Sequence, residues 1–532
     1  MEISSRRIKN LIQALIISAT VAFTLHRCSE KRDKGNTGMA MIDIDFNNRI
    51  ENTGMARVSI SSEFAEFAKG MNDSCLNLSA TADKRFPVIV TCKDESSLTD
   101  YNEFTIEVWV KKAQNDNERY VIAGSKEIVN NHTVGWEIAT SCNGSWTWQL
   151  TDGNSVWKYQ PTNLSQNMND NKWHQLVFSV NSKNKEARIY FDGKNRAVYS
   201  LANLKSSCIS NKYHIGTDPL AIDLQMEAFN GFIDNFKLWA RALSDDDVKL
   251  SYFTRSGKTV TGDTYRGEQL SVMTWNIWHG GKHYGKRVGV DRIADVIRNA
   301  NPDIVLLQDT EGSGERIADN LGYYFFSRSD NLSVISRFPF SHSYDIFKPS
   351  TFGCVSMNIG SSKELLLCPV SLDSKPNIGA YVKTGSAIPD SIIDREMQTR
   401  GLQVRFILGE LSSFSLSGNK TIILAGDFNS GSHLDWTERN KKAHNDLVVE
   451  FPASKSLEQS GFIDTYRTVN PDEVEYPGIT WSPVFNTSMQ DRIDYIYCKG
   501  NALTPVSSEV IDNYTYDFPS SHAAVVTVFS IN

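Results

Sequence analysis

The sequence predicts two domains of different class, an all-β sandwich followed by an α/β domain. Three observations predict it. The chain has 532 residues, well beyond the ~100–200 of a single domain. Residues 41–255 break into short runs of alternating apolar and polar residues separated by turn formers, the pattern of half-buried strands. From about residue 268, continuous apolar strands alternate with helical periodicity, the pattern of a sheet covered by helices. Composition excludes several classes. Hydrophobic residues make up 40% and charged residues 22%, which excludes bulk disorder and collagen-like repeats. A formal net charge of −7 excludes a strongly basic coat for nucleic acid. Eight Cys are too few to staple a chain of this length.

Residues 1–27 read as an export signal. Arg6, Arg7 and Lys9 precede an apolar run from Leu11 to Leu25, which is short of the ~20 residues that span a bilayer. Leu25-His26-Arg27-Cys28 resembles a bacterial lipoprotein signal, with Leu25 three before the Cys and Arg27 where a small residue is usual. That resemblance implies lipidation of Cys28, a polar tether over 28–40, and an exported protein that meets a membrane only through its anchor. Export permits disulfides among Cys75, Cys92, Cys142 and Cys208, and the sequence leaves their pairing open.

The first domain is expected over 41–255. Alternating strands are predicted at Phe104–Val110, Trp136–Ala139, Trp146–Leu150, Trp173–Val180 and Ala187–Phe191, and Asp192-Gly193 marks a hairpin turn. Three passages resemble the laminin-G-like, concanavalin-A-like jelly roll: Trp173-His174-Gln175, Arg188 to Gly193, and Phe229 to Ser244. In the last, Ser244 caps a short helix that begins with Asp245 to Asp247. The resemblance implies a lectin-like accessory domain with a glycan or cell-surface ligand. The aromatics sit at alternating strand positions, which assigns them to the core rather than to sugar platforms.

Residues 256–267 are small, polar and Gly-containing and read as a linker. The second domain is expected over 268–532. Strands are predicted at Leu270–Asn276, Ile304–Gln308, Thr421–Ala425 and Arg492–Tyr497, with a helix over Val290–Asn299 stopped by Asn301-Pro302. Polar groups recur where these buried strands emerge: Asn276, Asp309, Asp427, Asn429, Asp494 and His522. Carboxylates interleaved with amides can hold Mg²⁺, activate water and orient a phosphoryl oxygen, and a His can exchange a proton.

The motifs Met273–Ile277, Asp303–Gln308, Gly426–Ser430, Arg492–Ile496 and Ser521-His522, in this order, are similar to the endonuclease/exonuclease/phosphatase superfamily. The resemblance implies a DNase-I-like four-layer α/β sandwich and a Mg²⁺ (or Mn²⁺) cofactor. It implies that Asp427 activates water, Asn429 holds the phosphate, Asp494 orients a catalytic His522, and Asn276 lies by metal and phosphate. Asp309 stands at the metal-binding Glu, with Glu311 as a substitute if the strand continues. Ser371 and Ser521 replace a His and an Asp of the family pattern. His433 and His279 are expected near the site mouth, with His433 placed at the substrate.

Charge narrows the substrate. Residues 268–532 hold 23 Lys and Arg against 31 Asp and Glu, a net of −8, and the rest of the chain holds 32 against 31. An acidic domain lacks the basic stripe that grips a nucleic-acid backbone. The expectation is an exported metal-dependent phosphodiesterase acting on a lipid, glycan or small-molecule phosphodiester. The alternatives are a binding protein on a weakened hydrolase scaffold and a secreted nuclease; nucleic acid is the less favoured substrate.

Overall fold

The computed structural model describes residues 38–532, except 63–64, 80–85, 94–102, 114–116, 206–209, 222–227, 264, 266, 345, 347, 349, 361–362 and 416–419. The segment read as an export signal, Cys28, nearly all of the expected tether and Cys208 therefore lie outside the described residues.

Alternating apolar residues build the first domain as two stacked antiparallel sheets. One sheet centres on His132–Thr140 and Trp146–Asp152; the other centres on Glu103–Lys112, His174–Asn181 and Gly231–Trp239. Trp136 and Trp148 of the first sheet pack on Phe178 of the second, with ring centroids at 5.1 and 5.7 Å. Trp109, Trp136, Trp146 and Trp148 are fully buried, so these aromatics form core and no sugar platform. The Asp192-Gly193 turn joins Glu186–Phe191 to Lys194–Ser200, with positive φ at both residues (51° and 73°), as a type I′ hairpin requires. Ser244 closes a capping box with Asp247 at the start of the helix Asp245–Ser256.

The second domain has four layers. Leu270, Val272, Leu306 and Val334 of one sheet meet Leu365, Leu367, Ile423 and Ile496 of another across a shared apolar core. The alternate residues Met273, Trp275, Val305 and Leu307 face outward, where Ile293, Ile297 and Ile317 of the helices Val288–Ala300 and Gly314–Leu321 cover them. On the far side, Val404, Ile407 and Leu457 of Arg400–Ser415 and Pro452–Gln459 cover Leu366, Ile422 and Leu424. Apolar residues on both faces explain the continuous runs at Ile304–Gln308 and Thr421–Asp427.

The two domains share one sheet. Lys194–Ser200, at the edge of the sandwich, pairs in parallel with Tyr324–Ser327 of the second domain, in the register Ala197↔Phe325, Val198↔Phe326 and Tyr199↔Ser327. The combined sheet has 14 strands among the described residues. Buried polar groups lock the seam. Arg328 donates to Ser200 Oγ at 2.6 Å and to the carbonyls of Phe352 and Ile346. Glu186 Oε2 accepts from the Ser343 hydroxyl at 2.9 Å, and Gln166 Nε2 donates to Asp319 at 2.9 Å. The segment read as a linker is pinned to both sides. Asp263 accepts from Lys194 at 2.6 Å and from Tyr324 at 2.9 Å, and buried Tyr265 packs edge-on against Phe338. Residues Met41–Asn532 accordingly form one compact unit.

Cys75 and Cys142 carry no disulfide bond. A different pair faces across two strands. The neighbouring register Val355↔Leu367 sets Cys354 against Cys368, both buried, with the sulfurs 2.8 Å apart. Refolding in a glutathione redox buffer is expected to join them, with one glutathione disulfide reduced to two thiols that take up the two cysteine protons. Closing a loop of this size is worth about 3 kcal/mol in the unfolded chain. Urea denaturation of oxidised against reduced protein, with thiol counting in denaturant, checks this; two alkylatable thiols at 354 and 368 after refolding would refute it.

Candidate active site

The strands of both sheets end at one rim, and the polar residues sit there because the strands stop there. Asn276 closes Gln269–Asn276, opposite Gln308. Asp427 closes Thr421–Asp427, opposite Asp494 on one side and Ser371 on the other. Gly426 is required just before it, because a Cβ there would lie 1.9 Å from the Val370 carbonyl oxygen.

Asp427 is the hub. Its carboxylate accepts from Asn276 Nδ2 at 3.0 Å, from Asn429 Nδ2 at 2.9 Å and from the Asn429 backbone N–H at 2.9 Å. Asn429 reaches it from a left-handed backbone conformation, φ 48°, which Asn tolerates. His522 Nδ1 lies 2.9 Å from Asp494 Oδ2, and its Nε2 lies 3.9 Å from Asp427 Oδ2. Three further contacts hold the imidazole. The His522 N–H donates to Ser520 Oγ, the His522 carbonyl accepts from Trp275 Nε1 at 2.8 Å, and the ring packs edge-on against Trp481.

These groups are buried, and burial sets their charges. It pushes Asp427 up to about 6, with the nearby Asp494 adding to the rise and His522 opposing it. Burial works against a charged His522, but Asp494 and Asp427 outweigh it and raise the imidazole to about 9. At neutral pH Asp427 is therefore an anion and His522 a cation. Asp494, fully buried, keeps Oδ1 without a hydrogen-bond partner among the described residues.

A cavity of about 770 Å³ opens over this cluster, walled by Trp278, Ile378, Trp481, Phe485 and Met489. Asp309, Asn276, Asn331 and Ser521 line it too. That side offers oxygens and amides with no thiol, a set that fits a hard divalent cation retaining several waters. Asp309 stands just past Ile304–Gln308 at φ 54° and accepts the His279 backbone N–H at 2.7 Å.

Two sequence expectations are corrected. The strand does not continue to Glu311: it ends at Gln308, and Asp309 and Glu311 both take positive φ in a turn. Glu311 reaches the mouth by that turn, with His279 Nδ1 at 3.2 Å, and the ligand atoms of His279, Asp309 and Glu311 lie within 4.8 Å of one another. His433 does not meet the cavity. Beyond Asn429 the chain turns away, and His433 is held by Ser454 at 2.8 Å and Glu458 at 3.0 Å, both from Pro452–Gln459, beside a separate cavity of about 280 Å³.

Structure also shows supports that the sequence motifs did not disclose. Thr480 Oγ1 accepts the backbone N–H of Ile493 and Asp494, which fixes the start of Asp494–Lys499. Arg492 is buried between Asp435 and Asp464, with contacts at 2.9 and 3.0 Å, and Arg467 shares Asp435 at 2.6 Å. The signal for Thr480 and Trp481 was their place in the segment Tyr476–Pro483 just before the Arg-Ile-Asp motif.

A buried Asp–His–Asp cluster lies under an oxygen-lined cavity at the rim of two stacked sheets, an arrangement suited to hydrolysis of an ester bond. The chain belongs to the Endonuclease/Exonuclease/phosphatase family, which matches residues 273–522, and residues 89–249 match the Concanavalin A-like lectin/glucanases superfamily. It is 33% identical over 287 residues to the uncharacterized protein F14F9.5 of Caenorhabditis elegans, covering 48% of this chain and 90% of that protein. It is 27% identical over 172 residues to a non-toxic nonhemagglutinin of Paraclostridium bifermentans, covering 32% of this chain and only 13% of that protein. Among solved structures, truncated Caenorhabditis elegans TDP2 aligns with a TM-score of 0.35 and 18% identity, over 50% of this chain and 98% of that one.

In metal-free protein, the His522 imidazole is expected to titrate near pH 9 rather than near the ~6.5 of a free His. Replacing Asp494 by Asn removes a charge that favours the imidazolium, so the midpoint moves down. Histidine ¹⁵N chemical shifts against pH test both; a wild-type midpoint below 7 would contradict the assignment.

Proposed function

We propose that the protein is an exported, divalent-metal-dependent phosphodiesterase acting on a lipid, glycan or small-molecule phosphodiester. The observation that carries this reading is the convergence of Asn276, Asp427, Asn429 and His522 at the floor of one cavity, with Asp494 behind the imidazole at 2.9 Å. Asp427, ionised at neutral pH and aimed by two amides, takes a proton from the attacking water. His522, kept as a cation by Asp494, faces the negative charge that grows on the phosphoryl group. Asn276 has a second amide N–H to offer a non-bridging oxygen, whereas both N–H groups of Asn429 are taken, by Asp427 and by the Leu372 carbonyl, so Asn429 acts by positioning Asp427. Asp309 and Asn276 would hold the cation, with Glu311 at the mouth, and a bound Mg²⁺ or Mn²⁺ supplies charge neutralisation for those oxygens.

Ser371, which faces the cavity, is no efficient proton donor, so protonation of the leaving group falls to water, the metal or another residue. This favours leaving groups of low basicity. The acidic balance of the second domain supports a substrate without a long phosphate backbone. The export signal supports action outside the cytoplasm, with Cys28 as anchor. A second reading, a binding protein on a weakened scaffold, is favoured by Ser371 and Ser521, which meet the cavity where the family pattern has a His and an Asp.

Hydrolysis of bis(4-nitrophenyl) phosphate with Mg²⁺ is expected, and chelation with EDTA is expected to abolish it. Asp427→Ala should lower kcat by about 10³-fold, the scale of a lost general base. Turnover unchanged in Asp427→Ala would overturn the mechanism, and magnesium binding without turnover would favour the second reading.

A further inference from the structure

The catalytic cavity has a neighbour. A second cavity of about 790 Å³ lies along the seam between the domains, lined by Trp157, Lys158 and Tyr199 from the sandwich and by Thr310, Glu315 and Phe325 from the hydrolase. Asn331 lines both cavities. Its Oδ1 accepts the Asp309 backbone N–H at 3.0 Å and its Nδ2 donates to the Ser350 carbonyl at 2.8 Å, so one fixed side chain is the wall they share. The turn from Asp309 to Gly312 runs along the same boundary, with Asp309 on the catalytic side and Thr310 and Gly312 on the other.

The seam cavity holds a buried acid. Glu315 is only 9% exposed, and no other described residue donates a hydrogen bond to its carboxyl. Burial pushes it up to about 8, so at neutral pH it is mostly the neutral acid, able both to donate and to accept. Around it the chemistry is mixed. Trp157 gives its indole N–H to the Ser200 carbonyl at 3.0 Å, so its ring adds carbon surface to the cavity. Phe325 packs edge-on with Tyr199 at 5.8 Å. Asn154, Gln160 and Asn203 supply amides at the rim.

We infer that this cavity is a subsite for an uncharged polyhydroxyl arm of the substrate, a sugar or cyclitol ring esterified to the phosphate held at Asp427. A neutral acid and amides suit hydroxyls, aromatic carbon suits the apolar face of a ring, and the shared wall at Asn331 puts the arm beside the phosphoryl centre. The ionisable groups on the lining, Lys158 and Arg328 against Asp330 and Glu315, are mixed in sign, so the cavity has no one-sided field to draw in a second phosphate. The inference rests on the phosphodiesterase reading for its geometry, and it makes the sandwich part of the substrate site.

The test is binding, read separately from turnover. With Mg²⁺ present and Asp427→Asn to block hydrolysis, calorimetry compares glycerophosphoinositol and methyl glucose-1-phosphate with dimethyl phosphate. At least one ring-bearing probe is expected to bind ten times or more tightly than dimethyl phosphate. Glu315→Leu, which removes both the donor and the acceptor, and Asn203→Trp, which fills the cavity from its exposed rim, should each erase most of that gap and leave dimethyl phosphate unaffected. Equal affinities for all probes, or a gap that survives both substitutions, would overturn the subsite. Turnover of bis(4-nitrophenyl) phosphate by the wild-type chain is measured alongside. If wild-type protein fails to turn this ester over while the ring probes still bind through Glu315, the hydrolase reading falls and the subsite stands.

Discussion

Two carboxylates buried side by side cannot both stay ionised unless a cation lies against them. Asp427 and Asp494 face each other on paired strands, and His522 is that cation. Desolvation alone would neutralise all three groups. Together they form a set of two anions on one cation, in which each attraction to His522 grows as water is excluded. Much of the surrounding structure serves to hold this set in register. Asn276 and Asn429 fill the remaining acceptor positions of Asp427, Thr480 anchors the strand that carries Asp494, and Ser520 and Trp275 fix the turn that carries His522.

The arginine of the Arg-Ile-Asp motif extends the same logic one layer outward. Arg492 lies between Asp435 and Asp464, and Arg467 completes a buried pair of cations on a pair of anions. Losing one member of such a network leaves an uncompensated buried charge, which costs several kcal/mol. The network ties the loop after Asn429 to the strand that begins at Asp494, so Asp427 and Asp494 are braced from behind by ions that never meet the cavity.

How much of this was legible in the sequence depended on how local the cause is. The strand ends at Asn276, Asp427 and Asp494 were legible because each is a polar residue at the edge of an apolar run, and that change is written in adjacent residues. The Ser244 cap and the Asp192-Gly193 turn were legible for the same reason. The place of His433 was not, because it depends on Ser454 and Glu458, more than twenty positions away. Glu311 misled because a strand was extended through residues that turn with positive φ. The facing of Cys354 and Cys368 required a strand register, and the pairing of Lys194–Ser200 with Tyr324–Ser327 joins segments over a hundred residues apart. Nothing in either segment's own pattern specifies that partner.

That pairing changes what a second domain can do for a hydrolase. A binding module on a slack tether raises local concentration and leaves the catalytic domain free to sample every orientation. Here the backbone ladder passes from one domain into the other without a break, and the short chain between them is pinned at Asp263 and Tyr265. Whatever the sandwich grips is therefore presented to the strand ends at a set angle, as work is held in a jig. The same rigidity limits the enzyme to targets whose geometry already matches, so selectivity arises from shape at the scale of the whole molecule.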